Sequence, residues 1–147
     1  MDIQNAKGDA ETAREAAVSI LEKEKTSELA RLCLYRKLIL LCTKLGRHGE
    51  ALHYGRGFEE LLSYTEGRPE LWEQQGYGDI NKGRIENPEE LALGRLRCAE
   101  AAFLLKDSGQ AAGFLGLLPW EEEAHMQRYY PLLDKWKDAD ADTFRHM

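Results

Sequence analysis

LARLCLYRKLILLCTKL, GRHGE and ALHYGRGFEELL run consecutively over residues 29–62, two apolar stretches parted by a polar break. The first, from about Glu28 to Leu45, carries Leu29, Leu32, Cys33, Leu34, Tyr35, Leu38, Ile39, Leu40, Leu41, Cys42 and Leu45. Apolar residues spread that widely around a helix predict a central element with several neighbours. Arg31, Arg36, Lys37 and Lys44 mark the faces that reach water. The second stretch, from about His48 to Tyr64, places Ala51, Leu52, Gly55, Phe58, Leu61 and Leu62 on one side. Gly55 and Gly57 each cost a helix about 1 kcal/mol relative to alanine, so they predict close packing. With Gly46 as a stop signal and a small residue at Ala51, the whole reads as an antiparallel helical hairpin. Its first helix is also the leading wall of a binding groove, because it is more apolar than its share of one small core requires.

Toward the N-terminus, Asp9 is a candidate cap and Ala13, Ala16, Ala17, Ile20 and Leu21 form a buried stripe. Thr26 or Ser27 can cap the next helix, although no Gly or Pro separates the two and one long helix over 10–45 is the alternative. Beyond the hairpin, residues 65–87 lose periodicity and gain glycine, and Trp72 and Tyr77 stand within them. A connection of that length inside one domain is usually functional or mobile. Asn87-Pro88-Glu89-Glu90 then combines a cap side chain, proline at the first helical position and a glutamate that can reach back. The helix it opens runs to about Lys106, with Leu91, Ala92, Leu96, Ala99, Phe103 and Leu104 inward. Ser108 is the candidate cap of a short helix to Leu118. The final helix follows Pro119, with Met126, Tyr129, Tyr130, Leu133 and Trp136 at helical spacing and a kink or break near Tyr130 from Pro131. Residues 138–147 form an acidic tail expected to fray.

The chain has 147 residues, 43% hydrophobic and 31% charged, which suits one folded domain over 1–147. A formal net charge of −6 gives no general attraction to nucleic acid or anionic membranes. The longest unbroken apolar run, Leu38 to Cys42, is too short to span a bilayer. Cys33, Cys42 and Cys98 lie inside apolar patterns and read as buried thiols, which together with the absence of a leader-like segment points to the cytoplasm.

No catalytic, metal or cofactor motif stands out. Asp138-Ala139-Asp140-Ala141-Asp142 opens like a calcium loop but has Thr143 where glycine is needed. Gly76-Tyr77-Gly78 lacks the third glycine of a dinucleotide site. His48 and His53 point to different helix faces, and His125 and His146 have no ligand-spaced partners. Glu59-Glu60 and Glu89-Glu90 suit solvated faces and capping better than acid–base chemistry. Arg68, Tyr77, Lys82 and Arg84 are interspersed with acids, which weakens any field for nucleic acid.

The alternation of large and small residues about the Gly46 turn resembles the tetratricopeptide repeat family, whose unit of about 34 residues stacks hairpin on hairpin. Setting Ala51 on that family's small position puts Tyr35, Leu38, Cys42, Gly46 and His48 on its large or turn positions, while Ile39 and Phe58 stand where small residues are usual. A second unit from Leu96 to Pro119 places Ala99, Phe103 and Ala112 likewise. The resemblance implies a groove for a peptide or helix of another protein. Arg36 and Arg97 could supply the charge with which some members grip a terminal carboxylate, but Leu40 occupies the place of a needed asparagine.

The expectations are therefore an all-α chain of about six helices, stacked as a short array of antiparallel hairpins or packed as an irregular bundle. Its function is that of an interaction module (adaptor, assembly chaperone or complex subunit) holding a partner segment in an apolar groove between the 29–62 hairpin and the helix from Pro88 to Lys106. Tyr35, Arg36, Tyr54, Trp72, Tyr77, Arg97, Trp120 and Tyr130 are the candidate contact residues, since large rigid side chains and arginine dominate interface energies. No cofactor, metal, nucleic-acid or membrane partner is expected. The same apolar surface could make a homodimer, and the alternative function is a small helical enzyme or ligand-binding regulator with a pocket under residues 65–87.

Overall fold

Ser27 divides the N-terminal part of the chain into two helices. Its backbone is extended, at φ −67° and ψ 158°, and its hydroxyl accepts from the Ala30 N–H at 3.2 Å. The cap thus satisfies an amide that the first turn leaves unpaired. The computed structural model describes residues 3–22, 27–66, 68, 70–71, 87–120 and 123–147. These form an all-α structure of seven helices with no strand among the described residues: α1 (Ile3–Leu21), α2 (Glu28–Lys44), α3 (His48–Glu66), α4 (Pro88–Leu104), α5 (Ser108–Leu115), α6 (Glu123–Ala139) and α7 (Ala141–Arg145). Trp72 and Tyr77, like nearly all of the irregular segment, lie outside the described residues.

One hairpin geometry occurs twice. Helices α2 and α4 begin and end at positions 60 residues apart, and so do their caps, Ser27 and Asn87. After α2 the chain turns through Gly46 at φ 76°, with Gly46 N–H donating to Thr43 O and Arg47 N–H to Cys42 O. After α4 it turns through Lys106 at φ 62°, with Lys106 N–H donating to Phe103 O and Asp107 N–H to Ala102 O. Both turns close the helix end with the paired long and short bonds of a Schellman motif. Ala51 and Ala111 then sit at matching positions and both are fully buried. The register therefore pairs Ala51 with Ala111, one residue before the expected Ala112, which is only half-buried.

Helix α2 packs against α1, α3 and α4, and α4 against α2, α3 and α5. Leu29, Leu32, Ile39 and Cys42 of α2 meet Ala51, Leu52, Phe58 and Leu62 of α3 and Leu96, Cys98, Ala99 and Ala102 of α4 in one buried cluster. Most of the apolar surface of α2 is accordingly covered by three neighbours, with Leu40 left exposed. Gly55 makes the α3–α4 approach possible, because a Cβ there would stand 2.5 Å from Cys98 Sγ and 3.3 Å from the Phe114 ring. Ion pairs reinforce the same contacts: Arg95 grips Glu59 through two bonds of 2.8 and 3.0 Å, and Arg36 meets Glu90 at 2.9 Å.

Several expected details differ. Asp9 lies within α1 rather than capping it, because the helix already starts at Ile3. Of the alanine stripe, Ala17 is buried along with Ala10, but Ala16 is exposed and Ile20 is 42% exposed, since α1 rests on α2 along a narrow seam. Leu104 is 51% exposed because α4 ends there and turns away. Asp107, not Ser108, caps α5, accepting from the Gln110 N–H at 3.1 Å.

Helix α6 continues through Pro131 without a break. Tyr129 and Trp136 are both buried and Pro131 is exposed, so packing on either side of the proline holds the helix together against the lost hydrogen bond. Trp136 stacks on Phe103 at 5.3 Å between centroids. The tail beyond it is ordered as α7. Asp140 caps α7 through the Thr143 N–H at 3.1 Å, Thr143 is buried, and Ser108 Oγ donates to Thr143 O at 3.1 Å.

Candidate functional site

The doubled hairpin sets the first helices of its two units, α2 and α4, side by side. Between them lies a groove of about 390 Å³ lined by Leu40, Thr43 and Lys44 from α2, His48 from the first turn of α3, and Arg97, Glu100 and Ala101 from α4. Helical spacing explains the set: residues 40, 43 and 44 share one face of α2, and 97, 100 and 101 share one face of α4. Ala101, at 1% exposure, floors the groove and gives it depth. Leu40 offers apolar surface, while Thr43 is turned back on its own helix, its hydroxyl donating to Leu40 O at 3.0 Å.

Charge in the groove is unbalanced. Among the arginines of α2–α4 and their turns, Arg36 is paired with Glu90, Arg47 with Glu50 and Glu11, Arg95 with Glu59, and Arg56 hydrogen-bonds Gln110. Arg31, Lys44 and Arg97 have no such partner among the described residues; of these Lys44 and Arg97 line the groove, where Glu100 is the one acid beside them. His48 Nδ1 is buried without a hydrogen-bond partner. A buried polar atom left unmatched costs on the order of 1–3 kcal/mol.

The expected contact residues do not converge here. Arg97 alone of them lines the groove. Tyr35 and Tyr54 form a separate aromatic patch on the α2–α3 hairpin, their centroids 6.0 Å apart. The Tyr35 ring covers Gly57, where a Cβ would come within 3.3 Å of it. Burial, then the nearby Glu50 carboxylate, raises the Tyr54 hydroxyl above its ordinary range. Arg36 is occupied by Glu90. Trp120 and Tyr130 lie at the α5–α6 junction, where the Trp120 indole N–H donates to Leu115 O at 2.6 Å and its ring meets Tyr129 edge-on at 5.5 Å. Tyr130 is half in solvent beside it. Trp72, Tyr77 and any pocket under residues 65–87 lie outside the described residues. Leu40, Lys44, His48 and Glu100 were not among the expected contacts. Their signal was positional: Lys44 was a polar exception on an apolar helix, one turn beyond Leu40.

The thiols do not form a reactive centre. Burial, followed by the Glu50 carboxylate, pushes Cys42 up to about 12, and burial pushes Cys98 up to about 12. Cys33, half-buried, is raised by burial as well. All three therefore stand protonated near neutrality and are free of disulfides. Among the described residues no group of three or more His, Cys, Asp or Glu is placed to hold a metal ion, and no helix is long and apolar enough to cross a membrane. No protein-family model, curated protein or solved structure matches the chain.

Proposed function

We propose that this chain is a helical protein-interaction module that receives a segment of another protein in the groove between α2 and α4. The observation that carries the reading is the repeated hairpin, which aligns two like helices along one open face with Leu40 exposed inside it. Stacked hairpins are the means by which helical-repeat proteins build extended binding faces, and the resemblance to tetratricopeptide repeats belongs to this proposal. The groove is more polar than a purely apolar slot, so the segment it suits is amphipathic. An adaptor, assembly chaperone or complex subunit of the cytoplasm would use such a face, and three free thiols suit a reducing compartment.

Affinity purification with the wild-type chain and with Leu40→Asp tests the reading. Leu40 is exposed, so the variant should keep its helical circular dichroism. The expected result is a partner recovered by wild type and lost by the variant. A chain that stays monomeric by light scattering and recovers the same set of proteins with either form overturns it.

A further inference from the structure

Building on that reading, we infer that the segment taken by the groove is acidic, with internal Asp or Glu side chains placed next to a leucine-sized apolar residue. The chain as a whole carries a formal charge of −6, and Arg36, Arg47 and Arg95 on the neighbouring helix contacts are matched by carboxylates. The groove departs from both patterns. Lys44 and Arg97 face it from opposite walls without a protein partner among the described residues, and the only acid in the lining is Glu100. A carboxylate brought into the groove gains charge-assisted hydrogen bonds from Lys44 and Arg97 that the chain itself does not supply.

One further feature narrows the occupant. Leu40, 38% exposed, stands one turn from Lys44 and presents apolar surface beside the charges over the Ala101 floor. A purely ionic ligand such as a polyphosphate would leave that surface uncovered. Acid and leucine side by side in a peptide match base and leucine side by side on α2. Complementarity of this kind favours specificity and fast association, with a marked dependence on salt.

The test uses a random peptide library displayed within a scaffold loop, so that side-chain carboxylates are the only ones offered. Selection is made on the full chain alone, and the recovered clones are then measured on Leu40→Asp and on the Lys44→Glu/Arg97→Glu double variant, whose substitutions fall at exposed positions. The expected result is that clones needing Leu40 are enriched in Asp and Glu next to Leu, Ile or Met. Their binding should fall about tenfold or more on the double variant and weaken steeply with salt. Clones that need Leu40 yet show no acidic enrichment and bind the double variant equally overturn the acidic inference while leaving the interaction reading intact. If no clone depends on Leu40, both fall together.

Discussion

Gly55 of α3 and Cys98 of α4 are so close that the Cβ missing from Gly55 would stand 2.5 Å from the Cys98 sulfur. That approach joins the two hairpins, and it sets a conflict between local and tertiary preference. Alanine favours a helix over glycine by about 1 kcal/mol, whereas overpacking a tight core costs about 1–3 kcal/mol. With Phe114 on the other side at 3.3 Å, the sulfur has little room to yield. Gly55→Ala should therefore destabilise the fold by about 1–2 kcal/mol in urea denaturation. Adding Cys98→Ala to it should recover part of the loss, as a double-mutant cycle would show. Gly113→Ala, where nothing lies within 4 Å, should by contrast stabilise α5.

Gly46 and Lys106 occupy the same left-handed turn position in the two hairpins, at φ 76° and 62°. Only Gly46 is of the residue type for which that conformation is free of strain. Lys106→Gly should raise the denaturation midpoint, by about 1 kcal/mol in stability, and Gly46→Lys should lower it by a similar amount. Equal and opposite shifts would confirm that the two turns are energetically equivalent.

Glu11 and Glu50 close a ring with Arg14 and Arg47, each acid bonded to both bases. Arg14 reaches Glu50 at 3.1 Å, and Arg47 reaches Glu50 and Glu11 at 3.2 Å each. The ring ties α1 to the α2–α3 turn, and the Cys42 thiol donates to Glu50 from below at 3.7 Å. The alanine seam buries little area, so this attachment leans on charge. Charge reversal at Arg14 should speed amide exchange along α1 while leaving α4 and α5 protected. High salt should act in the same direction.

Three carboxyls respond to acid in one direction. The Arg14 hydrogen bond lowers Glu11, the Gln110 bonds lower Asp107, and the Thr143 bonds lower Asp140. Each protonates more readily in the unfolded chain, so the stabilisation it contributes is present above the ordinary carboxylate range and is lost as pH falls through the lowered values. Helices α5 and α7 should loosen below about pH 4. Asp107→Asn and Asp140→Asn keep a capping oxygen but not the titration, and should flatten the acid limb of a thermal-melting profile.

Thiol labelling at pH 8 should modify Cys33 first. Cys42 and Cys98 are buried and raised to about 12, so they should react only as the chain unfolds, and their rate should track denaturant concentration.

Much of the fold was legible because its signals are local. The cap at Asn87-Pro88 and the Gly46 stop act within a turn or two, and each performs the expected task, while Gly55 and Gly57 mark the close packing their cost to a helix predicts. The cap of α2 was narrowed to two residues and fell on Ser27. The C-terminal region was less legible. Pro131 predicts a kink or break and the acidic tail from Asp138 is expected to fray, yet Tyr129, Trp136 and Thr143 bury themselves against the rest and both segments are helical. The second hairpin was obscured because its turn uses Lys106 in a position where glycine would have announced it.

The candidate site was legible only in outline. Aromatic residues drew attention by type, but Tyr35, Tyr54 and Trp120 mostly pack against neighbours. The groove instead is made of ordinary residues, Leu40, Lys44, His48 and Arg97, whose meaning depends on which helix stands opposite.

By itself the sequence determined that the chain is all-helical, that residues 29–62 form a hairpin about Gly46, and that a helix begins at Pro88, because hydrogen bonding and periodicity within a segment decide such things. Only the tertiary structure decided which apolar faces remain open and which charges remain unpaired. Arg36 and Arg97 are alike in sequence, but one meets Glu90 across a helix contact and the other faces the groove. That distinction rests on distances between segments far apart in the chain, which no local pattern encodes.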